Sequence, residues 1–457
     1  MKKSIIVVAL LLLIIAALPI VGNSFMKKSI TERLEHLSSY GIVLKNEHSN
    51  TSYLKSSRHF ELYLQDAKAF SAYLESISSQ QLAPYTDILL EGLTLGVDLE
   101  YSNLPFAKAV TLEMYPVALP QKTAQKLQKE DPHFFLFVEK FLQKRALLYH
   151  VEYNFINSDF KGYLKDINEH YKEQTTAMDF TLEKALFHGN GELLAPKEFT
   201  FKARSLHFSM EDGREKVLFV AEKLTTTNNF LSKNSYLSSL GVAVAKMSLE
   251  GARENVKMVV KEFHLNASSH EELQSIEMHT KTSFKEFYMH AREKEILLKK
   301  FHFDVAMSDV NKTKYMELQR LLQQMSVGRV YAQSKQIEQT LLALVSSGFK
   351  IELADFSLKT VALSTQKEYD GFQIRGEILL PKDPSLAQKM ALSPLFALSA
   401  LQIDTKMKFS QELYHALTQN RVMLTPLMKY AVEKNREVHF DIKLIDSKLT
   451  INGKQLY

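Results

Sequence analysis

An α+β fold dominated by long antiparallel strands, preceded by one N-terminal apolar helix, is what this sequence predicts. Three observations carry that reading. An unbroken apolar run extends from Ile5 to Val21, with Lys2 and Lys3 before it and Lys27 and Lys28 after it. From Leu147 to Val310, extended segments with side chains alternating in and out succeed one another with few helical patterns. Two helical stripes, Leu318/Leu321/Leu322/Met325 and Ile337/Leu341/Leu344/Val345, then stand together before strands return, which predicts an inserted helical hairpin.

The opening run has about 17 residues, between the core of an export signal and a full membrane span. It carries no charge, so it lacks the polar face of a core helix. Pro19 and Gly22 lie at its outer end, Ala16-Ala17-Leu18-Pro19 forms no good cleavage site, and Gly22-Asn23-Ser24 is only a tolerable one, followed closely by lysines. A signal anchor over residues 1–24 is therefore expected, with a cleaved signal as the alternative. The short N-terminal flank favours export of everything downstream.

Three further regions are expected: an α/β region over 25–150, a long antiparallel β region over 151–310, and the helical hairpin with a C-terminal β region over 311–457. In the first, Ser29-Ile30-Thr31-Glu32 has capping-box spacing and opens a short helix ended by Gly41. Phe60, Leu62 and Leu64 alternate with Glu61 and Tyr63 as a half-buried strand does. Residues 67–82 have helical spacing, 88–99 and 107–115 read as extended, and a helical pair closes the region. Its second member sets Phe134, Phe137, Val138 and Phe141 on one face.

In the second region, Phe199, Phe201 and Ala203 hold one parity and Leu206, Phe208 and Met210 the other. The slip at Arg204-Ser205 predicts a bulge, because the side-chain period of a strand is two. Phe301, Phe303, Val305 and Met307 oppose Lys300, His302, Asp304 and Ser308, a strand with one wet face. In the last region, Gly348 ends the hairpin. Alternating strands follow around residues 349–362, 372–380 and 401–409, then a helix carrying Leu413, Leu417, Leu424 and Leu427. Two short strands close the chain around a turn at Asp446-Ser447.

Composition narrows the function. With 45% apolar residues a large core is available. Setting aside the four lysines that flank the opening run takes the formal charge from +5 to about +1, so no nucleic-acid footprint is expected. The chain has no cysteine, which excludes disulfides, thiolate metal sites and thiol nucleophiles together. Nucleophile elbow, zinc-protease, P-loop and dinucleotide words are absent. His270-Glu271-Glu272 lacks the second histidine four residues on. His302 and Asp304 share a strand face and form a candidate acid–base pair, with an ion pair across the sheet as the favoured reading. His36, His48 and His59 are candidate metal ligands near the membrane, against a reading as scattered surface histidines. Asn50, Asn266 and Asn311 head glycosylation-type triplets of low specificity. The Lys281–Lys300 stretch reads as a solvated face, with anionic lipid head groups as a second partner. No cofactor and no catalytic residue is assigned.

The order of elements resembles the YdgA-like family of bacterial envelope proteins, whose function is unknown. Asn50-Thr51-Ser52-Tyr53-Leu54-Lys55-Ser56-Ser57-Arg58 is similar to the family's early strand and basic turn, and Ser447-Lys448-Leu449-Thr450-Ile451-Asn452-Gly453-Lys454-Gln455 to its terminal strand and turn. Asn103-Leu104-Pro105-Phe106 stands where members carry a His-Gly-Pro-Phe-Pro-like turn, with the His and Gly replaced here. The resemblance implies a single-pass anchor in a Gram-negative inner membrane and a body in the periplasm. It implies no activity.

The expected function is thus a non-enzymatic binding or scaffolding module of the cell envelope. A looser likeness to AsmA-like proteins adds lipid as a candidate ligand, with Phe199, Phe201, Phe208, Phe301 and Phe303 as candidate groove residues. Core packing accounts for the same phenylalanines. The alternatives are a hydrolase of envelope polymers and a protein that self-associates through the pair of helices near residues 312–346.

Overall fold

The computed structural model describes residues 23–456 except 25, 79–85, 105–109, 194, 214, 233, 252–254, 324–329, 364–366, 393–394 and 420–424. The apolar run at Ile5–Val21 lies outside the described residues. Among those described, no helix is long and apolar enough to cross a membrane. The fold is β-dominated, antiparallel throughout, and divides into two compact units, the first ending at Gly213.

The first unit begins with a helix over residues 26–38 (α1), already running before Ser29, so the predicted capping box does not start it. Gly41 does end this turn, with φ +86°, and a Cβ there would meet Asp66 at 2.6 Å. The strands β1 (Ile42–Thr51), β2 (Lys55–Leu64), β3 (Thr94–Ser102), β4 (Val110–Ala118), β5 (Tyr149–Tyr153) and β6 (Asp159–Leu164) pair in sequence. Thus the sheet runs unbroken across residue 150. Then β9 (Ala185–Glu192) pairs with β6, and β10 (Ala195–Asp212) with β9. Beyond Ala203, β10 leaves β9 and pairs with β8 (Thr176–Glu183), which pairs with β7 (Ile167–Glu173). The phase slip at Arg204-Ser205 marks that exchange of partner.

One sheet face in this unit is covered. Ile30 and Leu34 of α1 pack on Leu99, Tyr101 and Val110, while Ile42, Phe60, Leu62, Leu64 and Val97 form a core with α2 (Ala67–Ser78). The alternation of Phe60, Leu62 and Leu64 is borne out. A short helix α3 (Thr86–Leu90) occupies part of the stretch expected to be extended. The helical pair is α4 (Gln121–Glu130) and α5 (Pro132–Gln143). Asp131 caps α5 by accepting from the Phe134 amide at 2.9 Å, and Phe134 and Phe137 rest on the Tyr171 ring. Asn103 is buried and ties the β1–β2 turn to the end of β3. Its Nδ2 donates to the Ser52 carbonyl at 2.6 Å, and its Oδ1 accepts from Ser56 at 2.8 Å.

The second unit is a meander. Strands β11 (Glu215–Phe230), β12 (Tyr236–Glu250), β13 (Asn255–Glu271), β14 (Ser275–Ala291) and β15 (Lys294–Asn311) pair in order. Asn311 caps α6 (Lys312–Gln323) by accepting from the Lys314 amide at 3.0 Å, and α6 packs on α7 (Val330–Ser346) as the hairpin prediction required. Strands β16 (Phe349–Leu363), β17 (Glu368–Leu380) and β18 (Gln402–Ser410) continue the sheet. The short helices α8 (Leu386–Leu392) and α9 (Leu395–Ala400), not anticipated from sequence, stand between the last two strands. After α10 (Gln411–Gln419), β20 (Glu437–Ile445) pairs with β18. Its outer edge takes β19 (Val432–Lys434) and then β21 (Lys448–Ile451), on which β22 (Lys454–Gln455) closes. The helix expected to reach Leu427 is shorter: α10 ends at Gln419, and Thr425–Tyr430 forms a 3-10 turn. Asp446 and Ser447 have φ +50° and +63°, the turn read from the sequence.

Candidate functional sites

Directly opposed residues in an antiparallel sheet share a face, so the register sorts the second unit into two sides. One row runs Thr226–Leu240–Leu265–Thr282–Phe303–Phe356–Ile374–Met407–Phe440 across nine strands. The next runs Phe284–Phe301–Leu358–Phe372–Phe409–Val438. A third runs Ala221–Ala245–Val260–Phe287–Leu298–Val361–Tyr369. All three lie on the same face: Phe284 and Phe287 have ring centroids 6.0 Å apart, and Leu298, Phe301, Leu358, Val361, Tyr369 and Phe372 form one cluster.

The second and third rows are three residues apart along each strand, where strict alternation would give two. A crease runs between them. Residues such as Lys285-Glu286, Lys299-Lys300 and Asp370-Gly371 sit in it, and Lys223, Glu262 and Lys300 take positive φ of 50–53°. At Gly371 a Cβ would lie 1.7 Å from the Leu358 carbonyl oxygen, so this position admits glycine alone. By shifting parity in successive strands, the crease keeps both rows greasy on one side. The other side is mixed: the row Val220–Lys246–Val259–Tyr288–Leu297–Ala362 crosses it beyond the crease, and polar groups gather on the near side. There Asp304 accepts from His279 at 2.6 Å and Lys281 at 2.8 Å. Burial opposes its charge, but these two donors hold its carboxyl below the usual range.

Helix α10 lies on part of the apolar face, with Leu413 against Leu358 and Val361 and Tyr414 against Phe409 and Phe440. Over β11–β14 the face is different. Val217, Leu240, Met258, Val260, Phe263, Leu265 and Phe287 are half-buried, and Phe219 and Met247 are exposed at 39% and 50%.

The first unit gathers titratable groups. A single row crosses β1 to β6: His48, His59, Asp98, Glu113, His150 and Tyr163. Asp98 and Glu113 oppose one another, an arrangement that repels unless compensated. His59 Nδ1 donates to Asp98 at 2.5 Å, Arg145 Nη1 at 2.7 Å and Tyr115 Oη at 3.1 Å, while His150 approaches Glu113 at 3.3 Å. Burial works against the Asp98 charge, yet the three donors hold its carboxyl below the usual range. Tyr115, buried and beside that carboxylate, is pushed up to about 12, and Arg145 lies over its ring at 3.8 Å. His48, His59, Asp98, Glu113 and His150 border a depression of about 560 Å3 that also includes Ser49, Asn50, Ser57 and Arg58.

The sequence candidates fall as follows. Phe301 and Phe303 stand on the apolar face of the second sheet. Phe199 and Phe201 belong to the first unit, against Phe160 and Phe187, and Phe208 opposes Phe180 there, so the five do not line one groove. Asp304 takes its partners from the neighbouring strand, and His302 instead faces Ser283 and Ser357. His36 sits against Tyr40 and Tyr73, whereas His48 and His59 meet in register. Glu271 is held by Lys312 and Asn234. Among the described residues, no group of three or more histidine or acidic side chains is arranged to hold a metal ion. Asp98, Glu113, Tyr115, Arg145 and His150 had no local motif to announce them.

No family model, curated protein or solved structure matches the chain.

Proposed function

We propose that this is an envelope protein whose second unit binds acyl chains on the part of its apolar sheet face, over β11–β14, where large side chains are half exposed among the described residues. In this reading the run at Ile5–Val21 is a single membrane anchor and the body is periplasmic. The observation that carries it is the half-exposed state of large side chains over β11–β14, on the face that α10 seals elsewhere. Burying apolar surface is worth about 25 cal/mol per Å2, so a contiguous greasy face left wet favours an apolar partner. Acyl chains suit it because flexible methylene chains can lie along the rows of Phe, Met, Val and Leu without hydrogen bonds of their own. On the reverse side, Asp304 with His279 and Lys281 suits water.

The test is extraction of the full chain in mild detergent, followed by mass spectrometry of what it carries. Acyl lipid at near-stoichiometric amounts is expected, falling in Val260→Asp. An empty protein, or equal lipid in the variant, sinks the reading. A reporter enzyme active only outside the cytoplasm, fused to the C-terminus, tests the orientation separately.

A further inference from the structure

We propose that His48 and His59 form a binding site for a single borderline transition-metal ion of the Zn2+ or Cu2+ class. The argument begins with the backbone. A register shift between Lys45 and His48, with Asn46 at φ +50°, puts a bulge in β1. Bulges re-aim side chains. This one sends Glu47 to Arg58, which binds its carboxylate at 2.8 Å, and sets His48 directly opposite His59.

Both rings are then fixed in the same tautomer. His48 Nδ1 lies 2.6 Å from the Glu47 carbonyl oxygen, and His59 Nδ1 lies 2.5 Å from Asp98. Each of those oxygens can only accept, so each Nδ1 carries the proton. In neutral imidazoles that leaves both Nε2 lone pairs available, and neither Nε2 has a protein partner among the described hydrogen bonds. A histidine that donates one ring N–H to a carboxylate or carbonyl and offers the other nitrogen is the arrangement of metal-binding imidazoles. The rings are 6.5 Å apart between centroids. An ion about 2.0–2.1 Å from each Nε2 sets the centroids about 5 Å apart at a tetrahedral angle and about 6.5 Å apart when the two nitrogens are opposed. The observed spacing thus matches the opposed pair of a tetragonal Cu2+ site, and Zn2+ would draw the rings closer. The site opens on the depression that contains Asn50 and Ser57, where water can complete the coordination. Imidazole nitrogen selects zinc and copper over magnesium or calcium, which prefer oxygen.

Asp98 is a positioning residue here. Its charge raises the donor strength of His59, and Arg145 and Tyr115 hold it in place.

The experiment titrates Zn2+ into the full chain by calorimetry and uses Cu2+ in a parallel spin-resonance measurement. One site with two-nitrogen coupling is expected. His59→Gln, and separately the exposed-residue variant His48→Gln, should each remove that site, while His290→Gln in the second unit leaves it. Asp98→Asn should weaken Zn2+ binding about tenfold or more, the usual cost of losing such an outer partner. Zn2+ binding unchanged in both His48→Gln and His59→Gln overturns the site. So does an equal loss in His290→Gln, or no saturable binding at all.

Discussion

Over β16–β20, the apolar face of the second sheet is roofed: Leu413 rests on Leu358 and Val361, and Tyr414 on Phe409 and Phe440. Over β11–β14, rows with the same chemistry stay half exposed. The strands do not differ in pattern, since both halves alternate greasy and wet and share the crease. What differs is the chain between strands. The β18–β20 connection contains α10, whose start is set by Ser410 accepting from the Leu413 amide at 3.3 Å. By contrast, the turns joining β11 to β12 and β13 to β14 span only residues 231–235 and 272–274 and add no cover. Alternation therefore specifies an amphipathic sheet, and the connections decide which part becomes core and which part remains a surface.

The largest effect expected from this contrast is in the roofed half. Phe440 is 2% exposed, so Phe440→Ala should cost about 3–5 kcal/mol, read from the denaturant midpoint. A loss no larger than that of a surface substitution would erase the distinction. Gly371→Ala comes next, because the added Cβ collides with backbone at the crease. An overpacking cost of about 1–3 kcal/mol is expected, and no change would mean that the crease is soft.

Much of this was legible in the sequence, and most of the failures share a cause. The parity of Phe60, Leu62 and Leu64, the helical pair at α6 and α7, and the Asp446-Ser447 turn are local facts, written in spacing. The crease also left a mark: Phe284…Phe287, Leu298…Phe301 and Leu358…Val361 each break alternation by one residue. Only the register shows that these breaks line up. Cross-strand partners are harder still. Asp304 stands two residues from His302, yet its hydrogen bond goes to His279, twenty-five positions away. The His59–Asp98 pair depends on how β2 and β3 meet across two helices. The 88–93 stretch misled for another reason, since a short apolar run fits a strand or a helical turn equally well.

Where β14 and β15 meet, Phe284, Leu298 and Phe301 join the core, and on the reverse side Asp304 joins His279 and Lys281. Asp304 has a lowered folded pKa, so its contribution is fully present above the ordinary value near 3.8 and is lost as pH falls through the folded value. Asp304→Asn should cost about 1 kcal/mol at neutral pH, since its partners are half exposed and screened. The difference from the parent should shrink in acid. A difference that persists at pH 2 would assign the effect to packing.

The smallest stability effect belongs to the open half and separates surface from core most directly. Met247 is 50% exposed at the centre of the half-exposed rows, opposite Phe219 and Met258. Replacing it with serine removes contacts that water already interrupts, so Met247→Ser should shift stability by less than about 1 kcal/mol. The same change puts a hydroxyl where an acyl chain would lie, and captured lipid should fall although the fold is intact. If stability collapsed instead, the half-exposed rows would be a core in their own right, and the face over β11–β14 would have no surface to offer a ligand.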